Sequence, residues 1–139
     1  VHHTNRLGVL VELNCETDFV ANTDQFRTLA NDIALQIANL NPQYVKREDV
    51  PEAVVEAERA LQRRRVLEEG KPEAVADKIV DGRMAKFFEE IVLLEQPFIK
   101  DDGVTIGQLV TQAIAELGEN ITLSRFMRFA VGEGPAEEA

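Results

Sequence analysis

Apolar and polar positions alternate along this chain in segments of different period, and those periods predict its elements. Leu7-Gly8-Val9-Leu10-Val11-Glu12-Leu13 is apolar on both sides except at Glu12, as expected of a strand covered on one face and partly on the other. His3 to Arg6 before it is polar enough for a hairpin turn, and Val1 to Thr4 reads as the tail of an earlier strand. Phe26, Leu29, Ala30, Ile33, Ala34 and Ile37 then recur at steps of three and four, which is one face of a helix. Asn22 and Gln25 have capping-box spacing in front of it, Asp24 suits its first turn, and Asn39 to Pro42 closes it.

A second helix is expected over Glu52 to Glu69, after Pro51, with Val54, Val55, Ala57, Leu61 and Val66 as its apolar residues. Gly70 stops it. Pro72 restarts a helix at Glu73 that runs towards Leu94 and carries Val75, Ile79, Phe87, Phe88, Ile91 and Leu94, with Gly82 as a point of bending. So short a link implies an antiparallel helical hairpin, with Arg63-Arg64-Arg65 and Glu68-Glu69 on a solvated face. Gln96 to Gly103 reads as a loop. Thr105 and Gln108 form another capping box, opening a helix with Leu109, Ala113, Ile114 and Leu117 on one side and Gly118 at its end. Finally Ile121, Leu123, Met127, Phe129 and Val131 fall on alternate positions, a strand whose apolar face is interrupted by Arg125.

The order of strand, several helices and strand predicts an α+β fold: a small antiparallel sheet covered by a layer of helices, with a helical hairpin. At 139 residues the chain is one domain's worth, expected over 1–131, with an acidic, disordered tail over 132–139. The missing initiator Met and ragged start suggest a fragment of a longer chain.

Charge and chemistry narrow the function classes. A formal net charge of -10 argues against direct nucleic-acid binding, which needs a basic face. No apolar run approaches the roughly 20 residues of a membrane span. The single cysteine allows no internal disulfide and points to a reducing, cytoplasmic setting. Cys15 stands among Glu12, Glu16 and Asp18, which disfavour a thiolate, so a buried structural cysteine is favoured over a nucleophile. His2-His3 lacks a second cluster with metal-ligand spacing, and Glu89-Glu90 and Asp101-Asp102 lack partners that would mark a dyad. Without a Gly-rich phosphate loop the chain is not expected to hold nucleotide. The expectation is a protein that is not an enzyme and carries no catalytic residue, metal or cofactor.

The stretch from Glu12 to Asn22 stands apart from this pattern. Phe19, beside Asp18, lies outside the apolar stripe of the following helix. On spacing alone, a ring folded back as a staple is the commoner arrangement. The other is a ring offered to a partner. Asn14-Cys15-Glu16-Thr17-Asp18-Phe19-Val20-Ala21 resembles a signature of the elongation factor Ts family, the guanine-nucleotide exchange factors of elongation factor Tu. A second block, Gly118-Glu119-Asn120-Ile121 running into Arg125-Phe126 and Arg128-Phe129, is similar to that family's C-terminal signature. The similarity extends to about Gly134.

The resemblance implies that Thr17, Asp18, Phe19 and Val20 bind elongation factor Tu and displace its Mg²⁺, with Phe19 wedged beside the phosphate site. It also implies that an N-terminal ubiquitin-associated-like domain is absent. The single core module resembles the short form of the family and suggests a homodimer. Two other functions compete: a scaffold or assembly protein docking through the hairpin from Glu52 to Leu94, and a thiol enzyme using Cys15. Only an exchange factor would accelerate loss of guanine nucleotide from a GTPase.

Overall fold

The computed structural model describes residues 2–3 and 6–133, the side chains from residue 6 onward. The expected tail therefore lies almost entirely outside the described residues, as do Thr4 and Asn5 of the expected hairpin turn. The fold is α+β, in two compact units, residues 1–41 with 97–139 and residues 42–96.

In the first unit, β1 (His2–His3), β2 (Leu7–Asn14) and β5 (Thr122–Ala130) form an antiparallel sheet in the order β1-β2-β5. The helix α2 (Asp24–Leu40) packs on β2 through the face its period marked: Phe26, Leu29, Ile33, Ala34 and Ile37 are all buried. Its N-cap is Thr23, whose hydroxyl accepts from the Phe26 amide at 3.1 Å. The capping-box reading at Asn22 is thus one residue early, because Asn22 already caps the end of a preceding one-turn helix, α1 (Asp18–Ala21). Asn41, in the left-handed region at φ 47°, closes α2.

Gln96 to Gly103 is not all loop. β3 (Pro97–Phe98) pairs antiparallel with β4 (Asp101–Thr105), and Phe98 is buried. The partner that stabilises this ribbon is Gln36, buried in α2, which donates to the Pro97 carbonyl at 3.0 Å and accepts from the Ile99 amide at 2.9 Å. Buried polar groups are bonded as a rule, and here the bond organises a segment about 60 residues away in sequence. The helix α5 (Ile106–Leu117) opens on the expected Thr105/Gln108 capping box and ends at Gly118, φ 72°. Its most buried residues are Ile106 and Val110, while Leu109, Ala113, Ile114 and Leu117 are half-buried.

The face assigned to β5 needs correction. Leu13 pairs with Leu123 but Glu12 pairs with Arg125, so Ser124 is an extra residue, a bulge. Inserting one residue reverses the alternation beyond it. Leu123 points into the core, yet Met127 and Phe129 point outwards, with Phe126, Arg128 and Ala130 half-buried on the inner side. The Arg128 guanidinium, inside, donates to the Ala38 carbonyl at 3.4 Å in the last turn of α2. Leu10 lies directly opposite Met127, so these two and Phe129 make an exposed apolar outer face, and Val131 just beyond it is exposed too. The apparent interruption at Arg125 is a consequence of the bulge. Arg125 shares that outer face and pairs with Glu12 at 3.2 Å.

In the second unit, α3 (Glu52–Glu68) and α4 (Glu73–Ile91) form the expected antiparallel hairpin. Gly70, φ 79°, donates to Leu67 and Lys71 donates to Val66, the paired bonds of a glycine-terminated helix end. The buried stripe of α4 is Ala76, Val80, Met84 and Phe88: Phe88 is buried as expected, whereas Ala76 and Val80 take the places expected for Val75 and Ile79, and Val75 is exposed. The expected residues Ile79, Phe87 and Ile91 only flank this core. On α3, Val66 is the buried residue, while Val54 and Ala57 are exposed. α4 runs unbroken through Gly82. Past Ile91 the chain leaves the helix: Val92 bridges to Tyr44, and Leu93 donates to the Tyr44 carbonyl at 2.8 Å. Two residues of the expected solvated face are tied across the hairpin, Arg63 to Asp77 and Glu69 to Arg83 at 2.8 Å, and near them Arg59 pairs with Asp81 at 2.9 Å.

Candidate partner-binding site

Asp18, Phe19 and Val20 lie on α1 and Thr17 is its N-cap, between the end of β2 and the start of α2. A four-residue helix has no stability of its own, since nucleation fixes several residues for one hydrogen bond. Its surroundings therefore hold it. Val20 is buried and is its apolar anchor. Thr17 caps it, the hydroxyl accepting from the Val20 amide at 3.3 Å. At the far end Asn22 donates to the Asp18 carbonyl at 2.9 Å and the Thr23 hydroxyl to the Val20 carbonyl at 2.7 Å. Arg27 from α2 donates to Asn22 at 3.2 Å.

The front of the turn is held from far along the chain. Gly118 ends α5 in a left-handed conformation, and the next residue, Glu119, lies beside Thr17. One Glu119 oxygen accepts from the amides of Glu16 and Thr17 at 3.1 and 3.0 Å, and the other from the Thr17 hydroxyl at 2.5 Å. In return a Glu16 oxygen accepts from the Asn120 amide at 3.2 Å. Each segment thus offers a carboxylate to the backbone of the other, and bonds to an ionised acceptor are the stronger kind.

On this platform Phe19 is 89 % exposed. The ring does not staple back onto α2. Asp18, next to it, is exposed as well. Cys15 is half-buried rather than buried, and its thiol donates to the Thr17 carbonyl at 3.2 Å, inside the same turn. Nothing in the spacing of the chain links position 17 to 119. A carboxylate just beyond a helix-stopping glycine reads as solvated, and only the resemblance of the second block singled out that region.

Elsewhere, a cleft of about 390 Å³ lies between α2 and α5, lined among others by Leu29, Leu109 and Leu117 and by the acids Asp24, Asp32 and Glu116. Asp32 there is paired with Lys100 at 2.7 Å. Among the described residues no group of His, Cys, Asp or Glu is placed to hold a metal ion, and no helix is long and apolar enough to cross a membrane. At α1 a solvent-facing ring thus stands beside an exposed acid on a hydrogen-bonded turn.

Comparison with known proteins gives a consistent result. Residues 1–133 match the family model described as elongation factor TS. The elongation factor Ts of Carboxydothermus hydrogenoformans is 56 % identical over 138 residues, which cover 99 % of this chain and 64 % of the relative. That of Heliobacterium modesticaldum is 55 % identical over 137 residues, covering 99 % and 64 %. That of Solibacter usitatus is 53 % identical over 139 residues, covering 100 % and 66 %. The chain thus spans just under two thirds of the length of these relatives.

Proposed function

The chain belongs to the elongation factor Ts family, and on that premise we infer that it is a guanine-nucleotide exchange factor for elongation factor Tu, acting in translation elongation in the cytoplasm. The observation that supports this most is the state of Phe19: a large ring held on a bonded turn and left in solvent. A wedge is useful only if it is ordered beforehand, because ordering it on contact would consume much of what its burial returns.

Exchange makes and breaks no covalent bond. The factor binds the nucleotide-free GTPase better than the loaded one, and by reciprocity nucleotide expels it by the same factor. A guanine nucleotide is held by its phosphate contacts and by the Mg²⁺ that bridges phosphate to protein. Phe19 enters beside the phosphate site, Asp18 disturbs the network that orders the Mg²⁺ ligands, and Thr17 and Val20 hold the turn that carries them. Accelerating release by about 10⁴ takes roughly 5.5 kcal/mol, at about 1.4 kcal/mol per decade. Burial of one Phe supplies about 1.5–3 kcal/mol, so the rest of the interface must contribute comparably.

The same chain is proposed to pair with a second copy. An outer sheet face of Leu10, Met127 and Phe129, with exposed Val131 beyond it, suits stacking on an identical face about a two-fold axis. The test of function is release of labelled GDP from elongation factor Tu with and without this chain. Acceleration at catalytic amounts is expected. Binding through the hairpin with no change in release would favour the scaffold instead.

A further inference from the structure

We propose that Glu119 is the positioning residue of the exchange site: its carboxylate holds the first turn of α1 so that Phe19 meets its partner already ordered. This rests on the exchange reading above and adds a residue to it. Three donors converge on the Glu119 carboxylate, the amides of Glu16 and Thr17 and the Thr17 hydroxyl, at 3.1, 3.0 and 2.5 Å. A hydroxyl has a single proton. Because Thr17 gives it to Glu119, the oxygen is left to accept from the Val20 amide, which is the bond that caps α1. The carboxylate therefore sets the orientation of the cap as well as the place of the backbone. Phe19 itself is 89 % exposed and has almost no packing of its own to fix it. The backbone of α1 is what determines where the ring points, and Glu119 is what determines where that backbone starts.

Glu119 touches no nucleotide and acts only through Phe19, so its effect must vanish when the ring is gone. A turn that is competent for about a tenth of the time lowers productive encounters about tenfold. Glu119→Ala should accordingly slow stimulated GDP release about tenfold with Phe19 present, and less than about twofold in the Phe19→Ala background. An equal loss in both backgrounds, or none in either, would overturn the positioning role while leaving the exchange reading intact. If Phe19→Ala alone leaves release unchanged, the exchange reading of this site fails first. A readout free of the GTPase separates the two. The chain contains no tryptophan, so a Phe19→Trp reporter is its sole indole. Its fluorescence anisotropy should fall when Glu119→Ala is added, and an unchanged anisotropy would overturn the inference whatever the exchange rates. Should Glu119→Ala fail to fold, Glu119→Gln keeps an oxygen for the two amides but cannot take the Thr17 proton. A smaller drop in anisotropy and in rate is then expected, again only with the ring present, and no drop in either overturns the proposal.

Discussion

Two apolar surfaces of the sheet-bearing unit face solvent, and they are built in opposite ways. The outer face of the sheet presents Leu10, Met127 and Phe129, held by paired strands. Phe19 is a single ring on a single turn, held by hydrogen bonds to a carboxylate about 100 residues away in sequence. An extended face gains from area, and in a two-fold interface each of its residues counts twice. A lone ring gains from being in the right place. The first design suits a lasting interface and the second a brief, reversible insertion.

The largest effect should come from the outer sheet face. In a two-fold dimer Phe129→Asp removes one buried ring from each copy, about 3–6 kcal/mol together at about 1.5–3 each. Sedimentation should show the dissociation constant raised by about 100-fold or more. A wild-type chain that sediments as a monomer at micromolar concentration would break the comparison at its root, leaving the face without the proposed role.

A buried residue calibrates both surfaces. Ile33, 0 % exposed on the inner side of α2, should cost about 2–5 kcal/mol when changed to Ala, read by chemical denaturation. A loss below about 1 kcal/mol would mean that α2 is not the support the sheet requires.

Phe19→Ala should separate stability from function. Its ring contributes little to the fold, so denaturation should shift by no more than about 1 kcal/mol. Stimulated GDP release should slow by about 10-fold or more, and Asp18→Ala should also impair it. Both defects should shrink when Mg²⁺ is chelated. Normal exchange per folded molecule combined with loss of stability would make Phe19 a core residue.

The smallest effect concerns the bulge that sets the outer face. Glu12 accepts from Asn14 at 3.1 Å and pairs with Arg125, and these hold its carboxyl below its ordinary range, Asn14 contributing most and partial burial opposing. A group depressed in the folded state stabilises fully above its unfolded value and loses that contribution as pH falls through the folded one. Stability should therefore fall slightly less steeply on the acid side, below about pH 4.5, in Glu12→Gln than in the parent. Identical acid limbs would show that the pair does not secure the bulge.

Local information was enough to place α2 and α5, because the period of α2, the capping box of α5 and their asparagine and glycine stops are written within a few residues, although the N-cap of α2 is Thr23 and the most buried residues of α5 are Ile106 and Val110. The α+β class followed from the order of elements, and the stretch around Phe19 stood out because the helix pattern had no place for the ring. The phase of β5 was beyond reach, since one unpaired residue at Ser124 reverses the sides of Met127 and Phe129, and only pairing with β2 shows that it is unpaired. Phe88 of α4 was legible, but the first half of its buried stripe was read one position early, because Ala76, Val80 and Met84 join the cluster around Val66 while larger Val75 stays exposed. The ribbon of β3 and β4 depends on Gln36, and α1 on Glu119. By itself, then, the sequence determined the elements whose stability is local and the family to which the chain belongs. The tertiary structure decided which way the last strand faces and how Phe19 is held, because both depend on bonds between residues that only folding brings together.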